Sequence, residues 1–373
     1  MAPQRAADRL VCRRIDPRAR PVVYSRRHTS HTQPTGDALV QAKALICNAD
    51  RSFELADVTL AEPGATNISV RAVCSGVSIG TEFAVIMGKL NWGPYPLTTG
   101  YQAVGVVEHV GGDVEGFDVG DRVYYRDNKS ITLADGVSVT TAAGTHCSAA
   151  VIDPTSTHGI AHVPDGVDDE AACLYVMPAV GLNGVDMANP RMGDVVVVHG
   201  AGLIGLGVVA ACSHRGCTVV AIDIEDARLD VARKLGADHV INGARQDAAA
   251  AVRAIAPDGA DAVFESTGIP ACLDPAMALC RTHGKFVYQG NYGQAPITYN
   301  FLVPHGKRLT TFYPCDDGLA KCRTAVLKNM AMGALAWGEV ITHRVQAAEA
   351  PDLYASIRDG NSDGVLGAVI HWS

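Results

Sequence analysis

Between residues 39 and 152 the apolar positions come in short runs cut by turn residues. LVQAKALIC, NISVRAVCSGVSIG, GVVEHVG, DRVYY and HCSAAVI each read as a strand, with EPG, GGD and DGVS as breaks between them. This pattern predicts a mostly antiparallel, barrel-like β domain. After Pro164 the period changes. DDEAACLYVMPAVGLNGVDMA reads as helix, and MGDVVVVHGAGLIGLGVVAACSHRG as strand, glycine turn and helix. Alternation continues through CTVVAID, EDARLDVARKLGA, DHVIN and ADAVFEST, a helix around 271–282, and GKFVYQG. Strands and helices alternating at this spacing predict a parallel sheet with helices on both faces. Near residue 325 the regularity fades, and VITHRV and GVLGAVIHW resume short strands that return to the first domain. The expected fold class is therefore α/β, with a β domain over 39–182 rejoined by 326–373 and a doubly wound domain over 183–325.

Residues 1–38 break with all of this: they are Arg-rich, poor in acids and without apolar periodicity. SRR at 25–27 has the twin-arginine look, but no hydrophobic stretch follows it. A disordered extension is the expectation, with the folded chain beginning near Leu39.

Composition narrows the partners. The 373 residues carry a net charge of −8, which disfavours nucleic acid and anionic membranes. No apolar run approaches the ~18 residues of a membrane span. The eleven cysteines include no C-x-x-C pair, so free thiols in a reducing, cytoplasmic compartment are expected rather than disulfides or a cysteine metal site. A small-molecule substrate is the partner class left.

The strongest chemical signal is VVVVHGAGLIGLGVVAA. Gly200, Gly202 and Gly205 form G-x-G-x-x-G directly after an apolar strand, with Leu203 and Ile204 opening the helix. The first glycine allows the tight turn, the second the approach of a pyrophosphate, and the third close helix–strand packing, while the helix N-terminus favours anionic phosphates. Asp223 ends the next strand, 18 positions after Gly205. A carboxylate there accepts from a ribose 2′-hydroxyl and repels a 2′-phosphate, which selects NAD over NADP. Arg228, one turn on, could still reach a phosphate.

GYQAVGVVEHVGGDVEGFDVGDRV, CSGVSIGTE and ITHRV together resemble segments of the medium-chain dehydrogenase/reductase superfamily, over roughly residues 39–373. The resemblance implies a GroES-like β domain, a Rossmann domain, a homodimer, and cofactor contacts that include Ser266, Thr267, Gly290 and Asn291. In the zinc alcohol dehydrogenases of that superfamily a cysteine and a histidine of these segments hold a catalytic zinc. Here Ser78 or Ile79 falls at the cysteine, Tyr101 replaces the histidine and Gln102 the glutamate beside it, and Cys173 is the one donor near the third position. The lobe that would carry structural zinc retains Cys147 alone. Catalytic zinc needs about three His, Cys or carboxylate ligands, so no metal is expected. The S-I-G-T-E variant is similar to the branch containing bacteriochlorophyllide hydroxyethyl dehydrogenases, which implies oxidation of a secondary alcohol without zinc.

Without zinc a side chain must manage the hydroxyl proton. Tyr101, Gln102, Ser78 and Glu82 are the catalytic candidates. Tyr101 is an acid/base if a cation (Lys89 or His146) lowers its pKa, and otherwise a pocket wall. Gln102 orients substrate or Tyr101. Ser78 hydrogen-bonds the substrate or fills space, and Glu82 is a base or a structural acceptor. His146, Tyr292, His305 and Lys307 are candidate substrate contacts, the last two also readable as solvated loop residues. His199 is expected to pack near the cofactor, while His158 and His162 join no constellation. The leading expectation is an NAD-dependent, zinc-independent oxidoreductase acting on a polyol, cyclitol or specialised secondary alcohol. The alternatives are a quinone or enone reductase, an NAD-retaining epimerase or lyase, and a non-enzymatic nucleotide-binding protein.

Overall fold

Alternating side chains set the register of the first hairpin: strands Val40–Cys47 and Phe53–Leu60 pair antiparallel, from Val40 opposite Leu60 to Cys47 opposite Phe53. A computed structural model describes residues 40–373 except 129, 156–159, 315–319, 363 and 373. The expected N-terminal extension and His158 lie outside the described residues. The central element of the β region is Ile68–Val77, which pairs with Ala103–Val110, Ala149–Ile152 and Gly367–His371 in a seven-stranded sheet. Because Ser75 lies opposite Ala103, the residues just past these two strand ends, Ser78 and Tyr101, are brought face to face. A five-stranded sheet built on the first hairpin stands beside it. The chain end returns to this region: Ile341–Gln346 pairs parallel with Gly367–His371, which lies antiparallel to Cys74–Val77.

The near-continuous apolar runs Val195–His199 and Thr218–Asp223 are buried strands of an all-parallel six-stranded sheet. Numbered along the chain from Val195–His199, its spatial order is 3-2-1-4-5-6, that of a dinucleotide-binding sheet, with a crevice at the carboxyl ends where the order reverses. Helices Val176–Ala188 and Leu203–His214 pack on each other, and Ala320–Ala331 on the first of them. This last helix runs across the boundary expected at 325/326. The two regions share one compact unit. One element differs from expectation: instead of a helix around 271–282, a 3₁₀ turn Pro270–Cys272 leads into the short helix Leu273–Ala278, and Cys280 already begins the strand Cys280–Tyr288. Pairing of Cys280 with Ala260, followed by a bulge, overrides the local helical pattern. Among the described residues no helix is long and apolar enough to cross a membrane.

Candidate active site

The glycine turn at the sheet crevice is enforced by space. Gly200 has φ +100°, and a Cβ at Gly205 would stand 1.9 Å from the Gly200 carbonyl oxygen, a backbone atom that cannot swing away. The helix Leu203–His214 therefore begins against the strand, with Gly202 at its N-cap. Gly202, Leu203, Ile204, Arg228, Ser266, Thr267, Gly290 and Asn291 line one cleft of about 730 Å³. Asp223 ends its strand nearly buried; one carboxylate oxygen accepts from Ala201 N–H at 2.7 Å and the other from Ile224 and Glu225 N–H at 2.8 and 3.0 Å. The Arg228 guanidinium stands 3.9 Å from it. A carboxylate fixed at the strand end beside a glycine cradle, with Arg228 of the cleft lining next to it, is where the adenosine end of a dinucleotide would lie.

At its far end this cleft meets a second cavity of about 860 Å³, and Thr81, Tyr101 and Tyr292 border both. The Tyr101 hydroxyl donates to Ser78 Oγ at 2.6 Å. Burial pushes the Tyr101 phenol above its ordinary value; hydrogen bonds with Ser78 and Thr81 oppose this, the Glu82 charge adds to it, and Arg126 pulls the other way. The neighbouring cation is Arg126, its guanidinium carbon 5.1 Å from the ring centroid, rather than the expected Lys89 or His146. Gly100 shapes the approach: its φ is +87°, and a Cβ there would lie 2.7 Å from the His146 ring.

Glu82 borders the larger cavity but is 2% exposed, and its carboxylate is saturated from within the protein. One oxygen accepts from Ser78 N–H at 2.7 Å; the other receives Thr99 Oγ1 at 2.7 Å, Tyr354 OH at 2.6 Å and His146 Nε2 at 2.9 Å. His146 Nδ1 meets Ser75 Oγ at 2.8 Å, and Trp372 Nε1 donates to the same oxygen at 2.8 Å. Burial alone would raise the Glu82 pKa, but the His146 charge and the hydrogen bonds from His146, Tyr354 and Ser78 outweigh it, leaving it below the usual carboxylate range.

Several sequence candidates are not brought to substrate. His146 is fully buried in the Glu82 network and lines neither cavity, so it is a structural partner and not a substrate contact. Gln102 is also fully buried and lines neither cavity, and among the described residues its amide atoms have no hydrogen-bond partner, so it holds Tyr101 by no hydrogen bond. His305 stacks on Phe301 and the Lys307 ammonium donates to the Cys280 carbonyl, both away from the cavities. Tyr292 does reach the cavities, but its hydroxyl donates to Glu265. Glu265, His199 and Cys272 have ligand atoms within 4.8 Å of one another. The Glu265 oxygens, however, are taken by Thr267 and Tyr292. Sequence reasoning missed Arg126, Thr81 and Tyr354: Thr81 lies inside the S-I-G-T-E segment but was passed over beside Ser78 and Glu82, Arg126 carries no motif, and Tyr354 sits in a C-terminal helix, Ala350–Arg358, with ordinary amphipathic spacing.

Known proteins match this architecture along most of its length. Residues 63–165 match the alcohol dehydrogenase GroES-like domain and residues 204–329 the zinc-binding dehydrogenase domain. The chain belongs to the zinc-type medium-chain dehydrogenase/reductase superfamily. As a superfamily member it is an alcohol dehydrogenase-like enzyme. An alcohol dehydrogenase of Cupriavidus necator is 27% identical over 85% of this chain and 96% of its own length. An L-threonine 3-dehydrogenase of Anaeromyxobacter dehalogenans is 26% identical over 83% of this chain and 93% of its own. The solved 2R,3R-butanediol dehydrogenase of Bacillus subtilis shares the fold, with a TM-score of 0.75 at 20% identity over 88% of this chain and 99% of that one.

The superfamily's zinc is a poor fit to the donors present. At the ligand positions Ser78 and Tyr101 offer hydroxyls bonded to each other, and Gln102 a buried amide. Cys173 is fully buried; burial holds its thiol well above the ordinary range, with Cys74 adding to this, and its Sγ meets the Glu170 carbonyl at 3.1 Å. Zinc needs a thiolate, imidazole or carboxylate at about three such positions.

Proposed function

We propose that this enzyme transfers hydride between NAD and a secondary alcohol or its ketone without zinc. The observation that carries the reading is the Tyr101–Ser78 hydroxyl pair, standing where cofactor cleft and larger cavity meet. NAD, when bound, supplies the hydride acceptor or donor; the chain supplies position and a proton. Ser78 and Tyr101 hydrogen-bond the substrate oxygen. In the reductive direction the Tyr101 O–H proton passes to that oxygen, directly or by way of the Ser78 hydroxyl, as hydride reaches the carbonyl carbon. In the oxidative direction the proton returns to the phenolate. The Glu82 network keeps the Ser78 end of the pair in place through the Ser78 N–H.

Asp223 supports NAD over NADP, its carboxylate disfavouring a 2′-phosphate beside it although Arg228 stands 3.9 Å away. The names of the relatives support an alcohol or polyol substrate. The open edge strand Thr310–Phe312, with exposed Phe301 and Leu302 nearby, supports a homodimer.

The test combines metal analysis of purified enzyme with steady-state assays in both cofactors. Activity with NAD that survives exhaustive chelation, and falls by ~10²-fold or more in Tyr101→Phe, is expected. Stoichiometric zinc needed for turnover, or strong NADPH preference, overturns the proposal, the latter favouring a quinone or enone reductase.

A further inference from the structure

The larger cavity is aromatic where a polyol site would be polar. Five of its 25 lining residues are Trp or Tyr, in a chain whose aromatic content is 6%. Trp92 at its wall is 56% exposed and Tyr313 62%, so neither is explained by core packing. Tyr313 stacks on the buried Tyr288 at 4.6 Å and 8°, and Tyr292 meets the same ring edge-on at 6.1 Å. Open aromatic faces favour offset stacking with another ring. Several polar groups in the lining are engaged inside the protein: Glu82 with Thr99, the Tyr292 hydroxyl with Glu265, and Gln289 Nε2 with the Val180 carbonyl, while Gln289 Oε1 has no partner among the described residues. A polyol entering here would lose water from each hydroxyl and find few replacements, which is costly.

We infer that the substrate is a bulky, ring-bearing secondary alcohol or ketone, held by stacking on Trp92 and the Tyr288–Tyr313 wall, and not a small open-chain polyol. The inference rests on the hydride-transfer reading for its chemistry and on the cavity alone for its shape. The experiment compares 1-(2-naphthyl)ethanol with 2,3-butanediol and sorbitol as substrates with NAD. In parallel, binding of 2-acetylnaphthalene is followed by tryptophan fluorescence in the wild type and in Trp92→Phe and Tyr313→Ala.

Expected is a kcat/KM at least ~10-fold higher for the naphthyl alcohol, the scale of a few extra apolar groups in a fitted pocket. The naphthyl-to-butanediol ratio should fall at least fivefold in Tyr313→Ala, and the fluorescence response should shrink in Trp92→Phe. Preference for butanediol or sorbitol overturns the inference and leaves the hydride-transfer reading standing. Saturable ketone binding with no turnover of any alcohol supports the cavity assignment and overturns the hydride-transfer reading. Neither binding nor preference for the ring-bearing compounds overturns the inference outright.

Discussion

Replacing Tyr354 with Phe removes a single oxygen from the hydrogen-bond network around the buried Glu82 carboxylate. The phenol donates to Glu82 at 2.6 Å, while its ring stacks on Phe83 at 5.4 Å and meets Phe53 edge-on at 5.5 Å. Phenylalanine keeps both ring contacts and fills nearly the same volume, so the lost term is the hydrogen bond to a buried carboxylate. Bonds of that kind contribute ~1.5–3 kcal/mol. Glu82 keeps Ser78, Thr99 and His146 as donors, which places the expected loss near ~2 kcal/mol rather than the ~3–5 of a broken buried ion pair. Urea unfolding at neutral pH measures it as a lower midpoint at unchanged slope. The pH dependence supplies a second check. A carboxylate with a depressed folded-state pKa contributes stability that is full above its unfolded value near ~4.3 and is lost as pH falls through the folded value. Tyr354→Phe removes one of the groups holding that pKa down, so its acid unfolding should begin at higher pH. A loss under ~0.5 kcal/mol, the size of a surface substitution, would refute the view that this network anchors the site.

Three further outcomes follow from the geometry. Because the Tyr101 pKa lies above the ordinary phenol value, ketone reduction should stay flat up to about pH 10, whereas alcohol oxidation should climb roughly tenfold per pH unit below it. Initial-rate pH profiles test this, and a profile unchanged in Tyr101→Phe removes Tyr101 as the acid. Gly205→Ala forces a Cβ into the Gly200 carbonyl, so it should cost about 1–3 kcal/mol and weaken NAD binding by fluorescence titration; wild-type affinity would contradict the cradle. Gln102→Met replaces a buried, unpartnered amide with an apolar side chain of similar length, so stability should hold or rise by about 1 kcal/mol with kcat unchanged. A collapse of kcat would return Gln102 to the substrate.

The fold was largely legible because it rests on local periodicity. Alternation marked the β strands, the VVVV run marked a strand buried on both faces, and G-x-G-x-x-G marked the turn at the crevice. The misjudged helix at 271–282 shows the limit: Cys280 is pulled into a strand by its pairing with Ala260, a neighbour no local window contains. The catalytic candidates divide in the same way. Tyr101 and Ser78 were found because both belong to recognisable segments. The fate of His146 and Gln102 was hidden, since burial and side-chain partners come from other parts of the chain.

By itself, then, the sequence determined a β region, a dinucleotide-type sheet with an acidic residue after its second strand, and hydroxyls where a metal's ligands would stand. Only the tertiary structure decided what Glu82 does. Its partners His146 and Tyr354 lie 64 and 272 residues away along the chain. Strand pairing and the return of the C-terminal segment bring them within hydrogen-bond reach. A buried carboxylate is tolerable only with such donors, and local pattern records which positions are buried, not which distant groups meet there.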